Sequence, residues 1–178
     1  AGGYQPGIPA VYAATELRRQ CRMHGAAVQY ANFLATKRLV VSASGRSVHD
    51  SDLNPVLFPF QRDLTKWALR KGRAAIFADT GLGKTLMQVE WARLTGVPTL
   101  IVAPLSVARQ TVGIAADKLG IEVVYSRDGT VWPITITNYD QLHLFDSGDY
   151  SGVVCDEASA IKAFNGARRM LVTEFMRR

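Results

Sequence analysis

The sequence has few residues that bind metal or form disulfides, and it has no long apolar run. Its two cysteines, Cys21 and Cys155, form no Cys-x-x-Cys pair, and its three histidines are widely separated, so we expect neither a disulfide framework nor a zinc site. No stretch approaches the roughly 18 to 20 apolar residues of a membrane-spanning helix. The first residues also lack the basic start and apolar core of a secretory signal. These absences predict a cytoplasmic protein with no membrane partner.

The overall composition is that of a globular domain. Of the 178 residues, 48% are hydrophobic and 20% are charged, which suffices for one sizeable core and excludes fibrous, collagen-like and wholly disordered proteins. Lys and Arg number 21 against 15 Asp and Glu, a net charge of +6. That modest excess is compatible with a polyanionic partner but does not identify one.

The chain divides near residue 54. Residues 1–10 hold three glycines and two prolines and predict a loose leader. A segment from Thr15 to about Lys37 favours helix, interrupted at Gly25, and residues 42–55 resemble a linker in composition. We therefore expect a leader, helical extension and linker over 1–54 and a main domain over 55–178. Both ends look cut, so we expect a piece of a longer protein.

In the main domain, short β-branched runs alternate with longer helical segments. The predicted strands are Ala74–Ala78, Thr99–Ala103, Glu122–Tyr125, Ile134–Thr137 and Val153–Cys155. The predicted helices are Gln61–Arg70, Lys84–Thr95 and Val107–Leu119. This alternation is typical of an α/β fold with a mostly parallel sheet flanked by helices.

A glycine-rich segment, Ala78–Thr85 (ADTGLGKT), follows the first of these predicted strands and begins a helix. Its glycines allow backbone N–H groups to turn toward phosphate oxygens, and the helix N-terminus adds positive charge. Lys84 would reach the β- and γ-phosphates of a nucleotide, and the Thr85 hydroxyl would ligate Mg²⁺. Ala78 departs from the general pattern, which has glycine there, and a chance glycine-rich turn is the alternative. The segment predicts a P-loop.

Two acidic residues, Asp156 and Glu157, directly follow the last predicted strand. In a P-loop protein such a strand end is typical of the Walker B segment, where the first acid holds the Mg²⁺ shell and the second orients or deprotonates the attacking water. The alternative is a strand that happens to end in surface acids. Together with Lys84, these acids are the predicted catalytic residues, and Thr85 and Asp156 are the predicted magnesium ligands.

Several stretches resemble motifs of superfamily-two helicases and Swi/Snf-type DNA translocases. Asp156–Ser159 resembles the DEAH box, with Ser159 where histidine usually stands, and Phe58–Gln61, followed by Trp67, resembles the Pro-Tyr-Gln segment. Three more stretches follow the family's order: Val102–Ser106 is similar to motif Ia, Ile136–Leu142 to Thr-Thr-Tyr-Glu-x-Leu, and Ala160–Lys162 to Arg-Ile-Lys. The amino-acid sequence of Leu57–Thr85 most resembles that of phage- and prophage-borne helicase-like proteins. This resemblance implies that the protein acts in the cytoplasm of a bacterium or an infected cell.

The resemblance implies the first RecA-like lobe of an ATP-driven motor, with ATP and Mg²⁺ bound at the P-loop. Gln61 would then read the adenine edge, since its amide can donate and accept together. The implied nucleotide-binding residues are Gln61, Thr80, Gly81, Leu82, Gly83, Lys84, Thr85 and Leu86.

The resemblance also implies a nucleic-acid partner, most simply duplex DNA. The implied contacts are Pro104, Leu105, Ser106, Thr137, Asn138 and Tyr139. Ser106 could instead be the N-cap of the next helix, and Tyr139 is equally credible as a core residue. In this family a second lobe supplies an arginine finger, which no motif here provides, so this fragment is expected to be a weak ATPase.

Two other functions stay open at this point. One is a P-loop ATPase of another class, such as a RecA or AAA-type machine, which does not need the Gln61 segment. The other is a nucleic-acid-binding module without hydrolysis that retains a degenerate P-loop.

Overall fold

The computed structural model describes residues 42–162 and 166–177. Apart from Ser42, these residues belong to one compact unit that begins at Ala43. The predicted helical extension over residues 15–37 lies outside the described residues, and the domain boundary near residue 54 stays a prediction. Within the described part of the chain, no helix is long and apolar enough to cross a membrane.

The architecture is α/β, with helices around a four-stranded parallel sheet. The helices are α1 (Pro59–Lys71), α2 (Lys84–Thr95), α3 (Leu105–Ile114) and α4 (Ala167–Arg177), and α3 continues as a π-helical turn over Ala115–Leu119. The strands are β1 (Thr99–Ala103), β2 (Val124–Tyr125), β3 (Ile134–Asn138) and β4 (Gly152–Cys155). Short 3₁₀ turns cover Asp50–Asp52, Leu142–Leu144, Ser147–Asp149 and Ala158–Ile161.

Most of the predicted elements of the main domain are confirmed. The three helices form, and α1 begins at Pro59 because proline fits the first helical position, where its missing N–H costs nothing. Four of the predicted strands form, although β2 is limited to Val124–Tyr125. The parallel character of the sheet is confirmed by the pairing of all four strands.

The predicted strand over Ala74–Ala78 is wrong for this structure. Residues 74–79 form no regular element, and Phe77 is 93% exposed. Three of the five residues in this run are alanine, a residue that is depleted in strands because it packs little against its neighbours. The P-loop is therefore entered from an irregular segment.

The sheet has the strand order β2-β3-β1-β4. Thr99 at the start of β1 is level with Ile134 of β3 and with Gly152 of β4, so these three strands begin together. Their carboxyl ends consequently lie at one edge of the sheet. At the β4 side the sheet ends, since β4 pairs only with β1 among the described residues.

Each face of the sheet buries its own apolar cluster. Side chains alternate along β1, so Ile101 and Ala103 face α2 and α3, whereas Leu100 and Val102 face α4. The α4 side adds two buried tyrosines, Tyr139 and Tyr150. At roughly 25 cal/mol per Å² of buried apolar area, these two clusters are the main stabilising term of the unit.

Helices α1 and α2 pack together beside the sheet, and a buried glutamate, paired with an exposed arginine, binds the chain that leads into α1. Glu90 on α2 is 0% exposed and accepts hydrogen bonds from Arg93 Nε (2.9 Å) and Nη2 (2.7 Å). The other contact to Glu90 comes from the backbone N–H of Asn54 at 2.7 Å. This contact holds the segment before Phe58 against the helix that carries the P-loop lysine.

Candidate functional site

The candidate site lies at the carboxyl edge of the sheet. Pro104, Tyr139 and Asp156 directly follow β1, β3 and β4, so they share that edge. Only a short link joins the end of α2 to the start of β1. The two elements also have similar lengths, because the rise per residue is about 1.5 Å in a helix and about 3.3 Å in a strand. Because α2 runs back along the sheet, its first residues, Lys84 and Thr85, lie at the same edge. Ligands of α/β sheets bind at such an edge.

The P-loop forms a tight turn at the start of α2. Gly81 (φ +85°) and Gly83 (φ +72°) adopt positive φ angles that only glycine takes without strain. The Lys84 ammonium bends back into this turn and donates to the carbonyl oxygens of Ala78 (3.0 Å) and Asp79 (3.2 Å). The turn therefore already holds a positive charge at its centre.

The backbone N–H groups of this turn are mostly free to receive a ligand. Among the described residues, none accepts a hydrogen bond from the N–H of Gly81, Gly83, Lys84 or Thr85. The Thr80 N–H is taken up by the Asp79 carboxylate at 2.7 Å. Four unpaired donors, a lysine and a helix N-terminus are the chemistry that binds phosphate, so the residues present fit the predicted nucleotide phosphates.

Gln61 lies against this turn, but both ends of its amide are already used. Its Oε1 accepts from the Phe58 N–H (2.9 Å) and its Nε2 donates to the Leu82 carbonyl (3.0 Å), and the side chain is 2% exposed. Gln61 thus connects the start of α1 to the P-loop. Nε2 keeps a second N–H and Oε1 a second lone pair, but the side chain is buried and would have to become accessible before a base could reach them.

Two aromatic rings stand beside Gln61 at the surface. Phe58 and Phe60 are exposed, and their rings stack with centroids 6.3 Å apart and planes 11° apart. Exposed, parallel rings of this kind offer a flat apolar surface next to the glutamine.

The acid pair at the end of β4 is held in an unusual backbone conformation. Glu157 has φ +54°, the only positive φ of a non-glycine residue in the described ranges. Its carboxylate accepts a hydrogen bond from the Ser159 hydroxyl at 3.0 Å, and its N–H donates to Asp156 Oδ1 at 3.0 Å. Positive φ costs a residue with a Cβ on the order of 1 kcal/mol, so the surrounding contacts must hold it.

The acid pair and the P-loop supply hard oxygen ligands of the type that Mg²⁺ prefers. No group of three or more His, Cys, Asp or Glu residues able to hold a metal occurs among the described residues. Mg²⁺ usually takes only one or two carboxylates and completes its shell with phosphate and water. Asp156 and Thr85 therefore fit the predicted Mg²⁺ in chemistry, and the small number of carboxylates matches that ion.

The residues predicted to contact nucleic acid fall into two groups. Leu105 and Ser106 are exposed at the start of α3, whose N-cap is Pro104. The alternative of Ser106 as the N-cap is therefore wrong. Ser106 lies inside the first turn, where its hydroxyl is accessible.

The second group is buried and bonded internally. Thr137 donates to the Ser126 carbonyl (3.0 Å), and the Asn138 side chain binds Gln141 Oε1 (2.8 Å) and the Tyr125 hydroxyl (3.0 Å). Tyr139 packs in the α4-side core and donates to the backbone oxygen of Asp156 at 2.5 Å. In this structure these three side chains shape the turn after β3 and do not face outward.

Three contacts at the site were not anticipated from the sequence. Besides the Tyr139 bond to Asp156, they are the Ser159 bond to Glu157 and the ion pair in which Arg168 Nη2 (2.8 Å) and Nε (3.1 Å) both donate to Asp140 Oδ1. The sequence held a possible sign of the Ser159 contact, because serine stands where the resembled motif has histidine, and its hydroxyl can still donate a hydrogen bond to a nearby carboxylate. The other two join residues far apart in the chain, which spacing cannot reveal.

Two neighbours of the acid pair are neutral at pH 7, and burial moves their pKa values still higher. It raises the pKa of the Tyr139 phenol far above its ordinary value, and the negative charges that Cys155, Asp156 and Glu157 can carry raise it further. Burial also raises the pKa of the Cys155 thiol. Neither group therefore adds negative charge beside Asp156 at neutral pH.

Compared with models of protein families and with curated proteins, the chain matches no family model and no curated protein. The resemblance to superfamily-two motors accordingly stays a prediction, and the function is argued from the site itself.

Proposed function

We propose that this chain is the ATP-binding, RecA-like lobe of an ATP-dependent DNA helicase or duplex DNA translocase. The observation that carries the proposal is the P-loop turn. Four backbone N–H groups of this turn have no partner among the described residues, the Lys84 ammonium bends back into the same turn, and the acid pair lies at the same edge of the sheet.

The proposed roles of the P-loop residues follow from the contacts that they now make. The Lys84 ammonium now donates to two neutral carbonyl oxygens. When a triphosphate binds, charged phosphate oxygens would replace these acceptors, with little movement of the side chain. The N–H groups of Gly81 and Gly83 would donate to the phosphates. The Thr85 hydroxyl, which hydrogen-bonds to none of the described residues, would ligate Mg²⁺.

At the end of β4, Asp156 would complete the Mg²⁺ shell and Glu157 would orient the attacking water. When bound, the metal neutralises charge that develops on the transferred phosphoryl group. The Ser159 bond to the Glu157 carboxylate would fix the direction of that base. An acid pair of this kind supports hydrolysis over phosphoryl transfer to a small molecule.

Beside the P-loop, the stacked Phe58 and Phe60 rings and the Gln61 amide would receive the base. Adenine specificity would require the buried Gln61 amide to become accessible, so that its second N–H and its second lone pair bind the base. The exposed Leu105 and Ser106 would contact one DNA strand, since they stand at the same sheet edge.

The test is phosphate release by the 178-residue chain, with and without duplex DNA. An arginine finger from a second lobe is worth about 10³- to 10⁵-fold in rate, so the chain alone should hydrolyse ATP slowly and respond little to DNA. If a longer parent chain supplies that lobe, DNA-stimulated turnover should appear in the longer chain, and Glu157→Gln should abolish it while ATP still binds. Equal rates for both chains would contradict a two-lobe motor.

A further inference from the structure

The Tyr139 hydroxyl connects the turn after β3 to the acid pair after β4. The ring is 4% exposed, in the same cluster as Leu100 and Val102 of β1, and its hydroxyl donates to the Asp156 backbone oxygen at 2.5 Å. No other described residue hydrogen-bonds to that oxygen. The contact therefore reaches the main chain of the residue proposed to hold Mg²⁺.

This contact completes the fixation of one peptide unit. The carbonyl of the peptide between Asp156 and Glu157 is held by Tyr139, and its N–H is held by Asp156 Oδ1 at 3.0 Å. With both ends bonded, the peptide plane cannot rotate without breaking a hydrogen bond. The same peptide sets the φ angle of Glu157, which stands at +54°.

The other end of the link is rigid as well. Asn138 Oδ1 accepts from the N–H groups of Asp140 (3.0 Å) and Gln141 (3.2 Å), and its Nδ2 donates to Gln141 Oε1. Asp140 in turn accepts two hydrogen bonds from Arg168 of α4. Tyr139 thus projects from a turn that is fixed by bonds on both sides, so its hydroxyl has a defined position.

We propose that Tyr139 is a positioning residue, which holds the Asp156–Glu157 peptide in the orientation that the Mg²⁺ site requires. The inference rests on the proposed function, because it names the residue that sets the Mg²⁺ affinity of the proposed nucleotide site. Without the hydroxyl, the peptide turns so that Glu157 leaves its strained conformation, and the Asp156 carboxylate, which is bonded to the same peptide, moves with it. Mg²⁺ affinity falls, whereas the P-loop, on another segment, keeps its affinity for metal-free nucleotide.

The experiment uses the full chain and a fluorescent ATP analogue, titrated first without Mg²⁺ and then with increasing Mg²⁺. Tyr139→Phe should leave metal-free affinity within about twofold and raise the Mg²⁺ midpoint about tenfold, the usual scale for losing a partner that orients a metal ligand. A residue that only stabilises the fold would lower the melting temperature and leave the midpoint unchanged.

The matched control is Tyr150→Phe. Tyr150 lies in the same core cluster and is 7% exposed, but its hydroxyl bonds to Thr135 Oγ1 (3.3 Å), away from the acid pair. Tyr150→Phe should change neither titration. An equal midpoint for wild type and Tyr139→Phe would overturn the inference while leaving the proposed function intact.

Failure of the proposed function gives a different result. If the wild type binds no analogue, or binds it with no response to Mg²⁺, the proposed function fails and this inference fails with it. If Tyr139→Phe does not fold, the wild type still provides a test by NMR at low temperature. A Tyr139 hydroxyl proton protected from exchange supports the inference, and a hydroxyl that exchanges freely with water overturns it.

Discussion

At the scale of single residues, Gly83 has two reasons to be glycine. Its φ of +72° is in the left-handed region, and a Cβ there would overlap the Gln61 amide nitrogen. The two residues therefore depend on each other, because Gln61 can reach the Leu82 carbonyl only across a residue with no side chain.

We predict that Gly83→Ala lowers the free energy of unfolding by at least about 1 to 2 kcal/mol, the cost of a left-handed alanine. It should also weaken binding of an ATP analogue, since Gln61 must move. The control is Gly113→Ala on α3, where a Cβ meets no atom within 4 Å and stability should rise by roughly 0.5 to 1 kcal/mol. Urea unfolding checks both variants, and a Gly83→Ala protein as stable as wild type would contradict the described turn.

Residue identity suggested candidate members of the site but not their contacts. The P-loop pattern singled out Gly81, Gly83 and Lys84, and the structure shows the tight turn that these residue types favour, while phosphate binding by that turn stays a prediction. The pattern could not show that Gln61 Nε2 donates to the Leu82 carbonyl, since that bond depends on how α1 packs against the turn before α2, whereas the bond to Phe58 is a local contact at the start of α1.

At the scale of elements, strands with buried β-branched residues were predictable and the segment before the P-loop was not. Thr99–Ala103 was predicted within its observed bounds because every residue is buried and most are apolar. Residues 74–78 show a similar apolar run, but alanine fills most of it, and little burial energy opposes the irregular path that the structure has.

The segment before the P-loop can be tested through Phe77. Because its ring is 93% exposed, Phe77→Ser should change the free energy of unfolding by less than about 0.5 kcal/mol. Leu100→Ala, on a fully buried side chain of β1, should cost about 2 to 5 kcal/mol in the same urea experiment. If the two substitutions cost the same, the segment is buried and the strand predicted from the sequence is present.

At the scale of the whole molecule, the buried phenols and thiol on the α4 side make stability depend on alkaline pH. Burial raises the pKa values of Tyr139, Tyr150 and Cys155, so the folded protein keeps protons that the unfolded chain releases. The contribution is therefore fully present below about pH 8, starts to fall at the unfolded-state pKa values of about 8.5 for cysteine and 10 for tyrosine, and is lost as pH rises through the higher folded-state pKa values.

Above pH 10, each such tyrosine should lower the free energy of unfolding by up to about 1.4 kcal/mol per pH unit until the folded-state pKa is reached. Tyr150→Phe removes one of these groups and should make the decline shallower by about that amount. Urea unfolding followed by tryptophan fluorescence between pH 7 and 11 measures the slope. An identical slope in wild type and variant would show that the Tyr150 phenol is not buried.

The fold places the start of α2 and the end of β4 at one edge of the sheet, although these segments are distant in the chain. The α/β character and the parallel sheet were predictable from alternating strands and helices. The strand order was not, because neighbours in the sheet are fixed by pairing between segments with nearly equivalent apolar patterns.

The most direct test of the account is equilibrium binding of a fluorescent ATP analogue to wild type, Lys84→Ala and the control Lys118→Ala. Lys118 is exposed on the π-helical turn after α3 and outside the site. Lys84→Ala should lose at least about 2 to 3 kcal/mol of binding free energy, because charge-assisted bonds to two phosphates are removed, while Lys118→Ala should bind as wild type does. Equal affinities for all three proteins would contradict the P-loop assignment and the nucleotide-driven function built on it.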